Sequence, residues 1–366
     1  DETVVRIRQR IDGVLQEQVM KEKRVNAALV LRLKLMAGLN ISEKRLPQDG
    51  RFNVRVKGRS IDVRVSTMPV QYGESVVMRL LDQSEGLLNL ESTGMPPKLL
   101  ERFRKLIKKP HGLVLVTGPT GSGKTTTLYG ALSELNNAEV KIITAEDPVE
   151  YRLPRITQVQ VNPKIGLEFS SILRSALRQD PDIILVGEMR DQETAEIGLR
   201  AAMTGHLVLS TLHTNDSISS AMRLIDMGAE PFLVASSLLG VVAQRLVRRV
   251  CDNCKETYEP SQQEQIWLQS FDLDPLDMEA GFVKGRGCYQ CSNTGYRGRV
   301  GVYEMLEMDE DMLDALRRRD VSDFTRAARR SPLFRALGQC AMDYALQGVT
   351  SLQEVARVAA TSEVTS

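Results

Sequence analysis

Gly118-Pro119-Thr120-Gly121-Ser122-Gly123-Lys124-Thr125 follows the pattern G-x-x-x-x-G-K-[ST], and its two flanks decide how it is read. Before it runs Leu113-Val114-Leu115-Val116-Thr117, apolar and β-branched as a buried strand should be. After it, Thr126-Thr127-Leu128-Tyr129-Gly130-Ala131-Leu132 reads as a helix. Strand, glycine-rich turn and helix together make a phosphate-binding loop: glycines let backbone N–H groups turn inward, and the helix N-terminus adds partial positive charge. Lys124 then reaches the β- and γ-phosphates of a nucleoside triphosphate and the Thr125 hydroxyl sits on Mg²⁺. The backbone from Gly118 to Thr126 lines the same phosphates. A glycine-rich turn that matches by chance lacks this pair of flanks.

Working outward, the acids come next. Val140 to Ala145 is a short apolar strand running into Glu146-Asp147-Pro148-Val149-Glu150. Placed beside the P-loop strand, these carboxylates face the nucleotide crevice and hold Mg²⁺ or polarise water; an acidic surface turn is the plain alternative. Asp180-Pro181-Asp182 leads into Ile183-Ile184-Leu185-Val186-Gly187-Glu188, a buried strand with an acid at its end. This Walker B form is weak alone and strong about 60 residues after a P-loop. Arg174 and Arg178 share one face of the helix before it, and Asp191 caps the helix after it. Gly205 to Asn215 is another strand, with His213 at its end either structural or sensing the γ-phosphate. Pro231 to Val250 reads as a helical region ending in Arg245, Arg248 and Arg249.

The 366 residues are long for one core, so two or three domains are expected. Val4 to Ile11 alternates as a strand before an Asp12-Gly13 turn, and Asn26 to Met36 has helical spacing. Phe52 to Val56 and Ile61 to Val65 flank Lys57-Gly58 as a hairpin, and Ser75 to Leu81 adds a strand. These make a small α+β domain over 1–84. Arg55, Arg64 and Arg79 occupy its polar positions, where a solvated sheet face is the bland reading. Periodicity is lost after Asp82, and Gly86, Gly94, Pro96 and Pro97 mark an interdomain linker, 85–97, where a hinge would lie.

A net charge of +1 argues against a general nucleic-acid binder, and none is expected as a partner. The longest apolar run, Phe232 to Val242, is interrupted by Ser236, Ser237 and Gly240 and is too short to span a membrane. No targeting segment is visible; the chain opens at Asp1, and a further upstream segment is expected.

Four of the five cysteines form two pairs, Cys251-x-x-Cys254 and Cys288-x-x-Cys291, with 33 residues between them. Four thiolates are the set a tetrahedral structural Zn²⁺ requires, and they leave no open position for catalysis. Glu256 to Gly281, holding Trp267, must loop out. A redox C-x-x-C is the rival, but it needs only one pair. Cys340 reads as a small buried residue. Tyr296 to Glu304 reads as a turn and strand, and the pattern is helical from Asp309 onward.

With these pieces in place the chain resembles the secretion ATPase superfamily, specifically the type II secretion and type IV pilus assembly (extension) ATPases, over essentially its whole length. Besides the P-loop, Glu146 to Tyr151 is similar to that family's Asp box, Asp180 to Asp191 to its Walker B and Gly205 to Asn215 to its His box; Gln244-Arg245-Leu246-Val247 and the tetracysteine element complete the order. Within the family the chain leans towards the MSHA-type pilus ATPases.

The resemblance implies an ATPase in which Glu188 orients or activates the attacking water and Glu150 assists, with Glu146 and Asp147 near the metal. It implies that His213 senses nucleotide state, and that Arg64, Arg79, Arg174 and Arg178 contact the nucleotide; for Arg55 the bland reading stands. The fold implied is α/β: a RecA-like P-loop core (98–250) preceded by a PAS-like domain, and followed by a zinc-bound element (251–300) and a helical module (301–366). Six copies would form a ring on the cytoplasmic face of a bacterial inner membrane, acting on a platform protein. Family members usually carry a further N-terminal domain, and some bind cyclic-di-GMP there; that ligand is not assigned to this chain. Retraction ATPases generally lack the four cysteines, which favours extension or secretion. A retraction motor, a small-molecule kinase, a nucleic-acid translocase and a nucleotide-gated scaffold without turnover are the rivals.

Overall fold

The computed structural model describes residues 4–22, 24–82, 89–271, 281–332 and 334–362. The chain forms two compact units, Asp1–Leu87 and Leu88–Ser366.

In the first unit, β1 (Val5–Ile11) and β2 (Val14–Met20) make a hairpin about Asp12-Gly13. Helix α1 (Val25–Met36) is followed by β3 (Gln48–Val56), β4 (Arg59–Val70) and β5 (Gly73–Asp82), an antiparallel sheet in that order. Successive strand residues point to opposite faces, so Val63 and Val65 enter a core with Phe52, Ile61 and Ala37 while Arg64 points away from it. On that other face Arg51, Arg64 and Arg79 are direct cross-strand neighbours, whereas Arg55 sits opposite Ser60, outside the row. A buried Lys34–Glu74 pair ties α1 to β5.

In the second unit the elements run α2 (Pro97–Ile107), β6 (Gly112–Thr117), α3 (Lys124–Leu135), β7 (Ile142–Glu146), β8 (Thr157–Gln160), α4 (Phe169–Ala176), β9 (Ile183–Val186), α5 (Gln192–Met203), β10 (Leu207–Leu212), α6 (Ser217–Asp226), α7 (Pro231–Ser237) and β11 (Leu238–Val250). After these come β12 (Lys255–Tyr258), α8 (Gln262–Leu268), β13 (Phe282–Gly285), β14 (Tyr296–Glu307), α9 (Glu310–Arg318), α10 (Val321–Arg330), α11 (Leu337–Leu346) and α12 (Leu352–Ser362). Seven strands form one sheet in the order β14-β11-β6-β10-β9-β7-β8, parallel except for β14 against β11. Helices cover both faces. Along β6, Leu113 and Leu115 enter one apolar layer and Val114 and Val116 the other, which is why that strand reads as a continuous apolar run.

Four expectations change. The region from Pro231 is helical only to Ser237; from Leu238 the chain is a thirteen-residue strand between β6 and β14. Its β-branched Val241, Val242 and Val247 suit a pleated, doubly paired strand better than a helix turn. Strand β7 is not beside the P-loop strand: β10 and β9 lie between them.

Residues 89–97 of the expected linker pack into the second unit. Residues 83–88 lie outside the described set, but Leu90 and Met95 are buried in the second unit's core, and Tyr303 and Tyr344 hydroxyls donate to the carbonyls of Thr93 and Gly94 (2.9 Å each). Last, the tetracysteine element and C-terminal helices are not separate bodies. β14 is the edge of the seven-stranded sheet, and its buried Glu304 accepts from Ser217 N (2.7 Å), Ser217 Oγ (2.5 Å) and Leu337 N (3.1 Å), joining α6 and α11. Burial raises the Glu304 carboxyl above its ordinary value. The expected loop-out of 256–281 contains α8 and pairs β12 with β13, with 272–280 outside the described residues.

Candidate active site

The P-loop spans the turn from β6 to α3, with Gly123 as the residue before the helix. Gly118 and Gly123 have φ of 147° and 91°, conformations that favour glycine. Lys124 Nζ donates to the carbonyls of Gly118 (2.7 Å) and Pro119 (3.0 Å), so its charge is held over the loop. Burial pulls its ammonium down to about 8; Glu188 opposes that shift and the Arg245 charge adds to it. Ser122 Oγ is buried without a hydrogen-bond partner among the described residues. A cationic amine and an orphaned hydroxyl in a glycine-rich turn suit phosphate oxygens.

Glu188 leaves the end of β9 and His213 the end of the adjacent β10. Their parallel register brings His213 Nε2 to 2.9 Å from Glu188 Oε1. A carboxylate only accepts, so Nε2 carries the hydrogen. Arg190 Nε donates to Glu188 Oε2 at 2.6 Å, and Arg190 Nη1 lies 3.6 Å from Asp147. The carboxylate is thus fixed at both oxygens. A cavity of about 90 Å³ beside it is lined by Thr125, Glu146, Asp147, Glu150, Glu188 and Thr211, among others, room for a small number of waters. Its oxygen-only donors suit a hard cation such as Mg²⁺.

Glu146 is buried, and both its oxygens are engaged. One accepts from Thr144 Oγ1 (2.5 Å) and Gln158 Nε2 (3.1 Å), the other from the Tyr129 hydroxyl. The Tyr129 oxygen also accepts from Glu150 N at 3.3 Å. Although two strands separate β7 from β6, this network fastens the acidic loop to the P-loop helix. Asp147 is the more exposed neighbour and the better placed of the two for a hydrated metal. Removing the hydroxyl alone, in Tyr129→Phe, is expected to lower kcat about tenfold with KM unchanged, because a lost buried hydrogen bond lets Glu150 wander. Steady-state ATPase kinetics check it; an unaltered kcat would mean the network is only packing.

Arg174 pairs with Glu193, and Arg178 donates to Arg174 O (2.8 Å); neither lines the cavity. Arg64 and Arg79 belong to the first unit's cross-strand row. Tyr129, Gln158, Arg190 and Arg245 were not singled out for the site from sequence. Arg190, two residues after an acid at a strand end, carried the clearest signal.

The four cysteines converge, all Sγ atoms lying within 4.8 Å of one another. Three of the separations are 3.9 Å (Cys251–Cys288), 3.8 Å (Cys254–Cys291) and 3.7 Å (Cys288–Cys291). A tetrahedral zinc with Zn–S near 2.3 Å spaces its sulfurs about 3.8 Å apart, whereas a disulfide needs about 2.05 Å. Backbone N–H groups of Gly287, Cys288 and Gly295 point at these sulfurs (3.2–3.3 Å), as they would at thiolates. Asn253 draws the Cys288 thiol down to about 6, while burial pushes Cys254 up to about 12. A dication would offset that cost. The donor set therefore fits zinc.

A phosphate loop on one strand, an acid at the end of another and a histidine strand between them define the second unit as a P-loop ATPase. The chain belongs to the Type II/IV secretion system protein family, whose description matches residues 1–357. It is 49% identical over 357 residues to the type II secretion system ATPase E of Vibrio cholerae, covering 98% of this chain and 70% of that one. It is equally similar (49% over 352 residues; 96% and 71% covered) to the type II secretion system protein HxcR of Pseudomonas aeruginosa. The crystal structure of the pilus retraction motor PilT with bound ADP superposes with a TM-score of 0.64 at 27% identity, covering 96% of this chain and 89% of that one. Both curated relatives carry type II secretion names rather than pilus-assembly ones. The chain is a secretion ATPase.

Proposed function

We propose that this ATPase is the Mg²⁺-dependent motor of a type II secretion or type IV pilus-extension machine, working as a homohexamer at the cytoplasmic face of the inner membrane on a platform protein. The observation that carries the hydrolytic part is the Glu188 carboxylate, held by His213 and Arg190 beside the P-loop. So placed, Glu188 orients a water for in-line attack on the γ-phosphate, and Lys124 offsets charge on the phosphoryl oxygens. His213, bonded to Glu188, is positioned to register whether the γ-phosphate is present. Thr125 and Asp147 would hold Mg²⁺, which when bound would supply Lewis-acid stabilisation of phosphate charge. Zinc held by Cys251, Cys254, Cys288 and Cys291 is structural.

The first unit's helix over an antiparallel sheet supports its reading as a PAS-like domain. Phosphate binding by Arg64, Arg79, Arg174 and Arg178 enters the proposal on family resemblance alone. ATP binding and release would turn one unit against the other about the linker and drive pilin-like subunits outward.

A ring motor requires assembly. Specific ATPase activity should rise with protein concentration, in step with a hexamer seen by sizing in the presence of nucleotide. A monomer as active as any oligomer would end the ring proposal.

A further inference from the structure

Both obligatory glycines of the P-loop lie against strand β11. A Cβ on Gly118 would sit 2.4 Å from Gln244 O and 3.2 Å from Arg245 Nη1; one on Gly123 would sit 2.6 Å from Gln244 Nε2. The Gln244 amide oxygen also accepts from Thr127 Oγ1 on α3 (2.7 Å). These contacts arise because β11 runs on past the end of β6, where Ala243 pairs with Thr117, so that residues 244 and 245 form a bed beneath the loop.

Arg245 is only 6% exposed. Its guanidinium donates to Gln244 O (3.1 Å) and Asn215 O (2.6 Å), and Asn215 Oδ1 lies 3.4 Å away. No carboxylate forms an ion pair with it among the described residues, and Glu304 and Asp216 act on it only at longer range. A permanently charged group is therefore buried on carbonyls alone, close to a second cation, Lys124. Such burial is expensive unless an anion arrives.

We propose that Arg245 is a positioning residue for nucleotide binding: from β11 it braces the P-loop at Gly118, contributes buried positive charge that the polyphosphate compensates, and links the loop to Asn215, two residues beyond His213. Gln244 completes the bed by touching Gly123 and α3. The inference rests on the P-loop as the nucleotide site.

The test uses the full chain with fluorescent ADP and ATP analogues, steady-state ATPase kinetics, and thermal melting without nucleotide. Arg245→Met, which keeps length and removes charge, should weaken nucleotide binding at least about tenfold and raise KM, with kcat changed less than about threefold. Replacing a poorly paired buried charge by an apolar side chain should leave the melting temperature without nucleotide no lower than in the unaltered protein. Arg245→Lys should recover most of the affinity. Unchanged affinity in Arg245→Met overturns the proposal. So does an equal affinity loss in both variants with lowered melting, which would mark a structural residue. Lys124→Ala separates the two readings: if it binds nucleotide normally, the P-loop assignment itself falls.

Discussion

Glu188→Gln is expected to lower kcat by about 10² to 10⁴, roughly 3–5 kcal/mol of barrier, while leaving ATP bound. The amide keeps the shape of the side chain but cannot accept from both His213 Nε2 and Arg190 Nε, because one of its two termini is a donor. Water orientation and the negative charge near the cavity are lost together, whereas Lys124 and the loop backbone that bind phosphate are untouched. Single-turnover ATPase with a parallel nucleotide-binding titration measures both. A variant that still turns over at the normal rate would remove Glu188 from the mechanism, and with it the functional reading of the His213–Glu188–Arg190 chain. His213→Ala should cost less, since Arg190 still holds the second oxygen.

Loss of the proposed tetracysteine zinc is expected to be the largest effect on stability. Cys251 lies just past the end of β11, Gly295 N–H points at Cys291 Sγ, and β14 begins at Tyr296, so the cluster closes the far end of the β11–β14 ribbon. Cys254→Ser should reduce bound zinc from about one per chain to well below half and lower the melting temperature by roughly 10 °C, since metal binding is folding free energy in such elements. Because the same ribbon carries Gln244 and Arg245 to the P-loop, nucleotide affinity should weaken as well. Metal analysis after purification under reducing conditions checks this. Protein that is metal-free, fully stable and disulfide-bonded would replace the zinc reading by a redox one.

Much of the site is local in sequence and was legible there. The P-loop, the acid ending β9, the histidine ending β10 and the paired cysteines each depend on spacing within one strand–turn–helix or knuckle, where backbone geometry dictates residue type. The Lys57-Gly58 hairpin and the turn at Asp12-Gly13 were legible for the same reason, whereas the strand Val14–Met20 that completes the first hairpin was not. The stretch after Ser237 was not. Its apolar residues satisfy a helix or a buried strand equally, and only pairing with β6 and β14 selects the strand.

Sequence alone therefore located the groups that carry the proposed chemistry: a phosphate loop, an acid and a histidine at strand ends, and four metal-competent thiols, all marked by short-range patterns. Tertiary structure decided the company these groups keep. Strand order put β10 between the loop and the Glu188 strand, Tyr129 drew in an acidic loop from across two intervening strands, and β11 brought a buried arginine under the glycines. Those choices rest on which buried faces and hydrogen bonds are satisfied across residues far apart in the chain, and no local pattern encodes them.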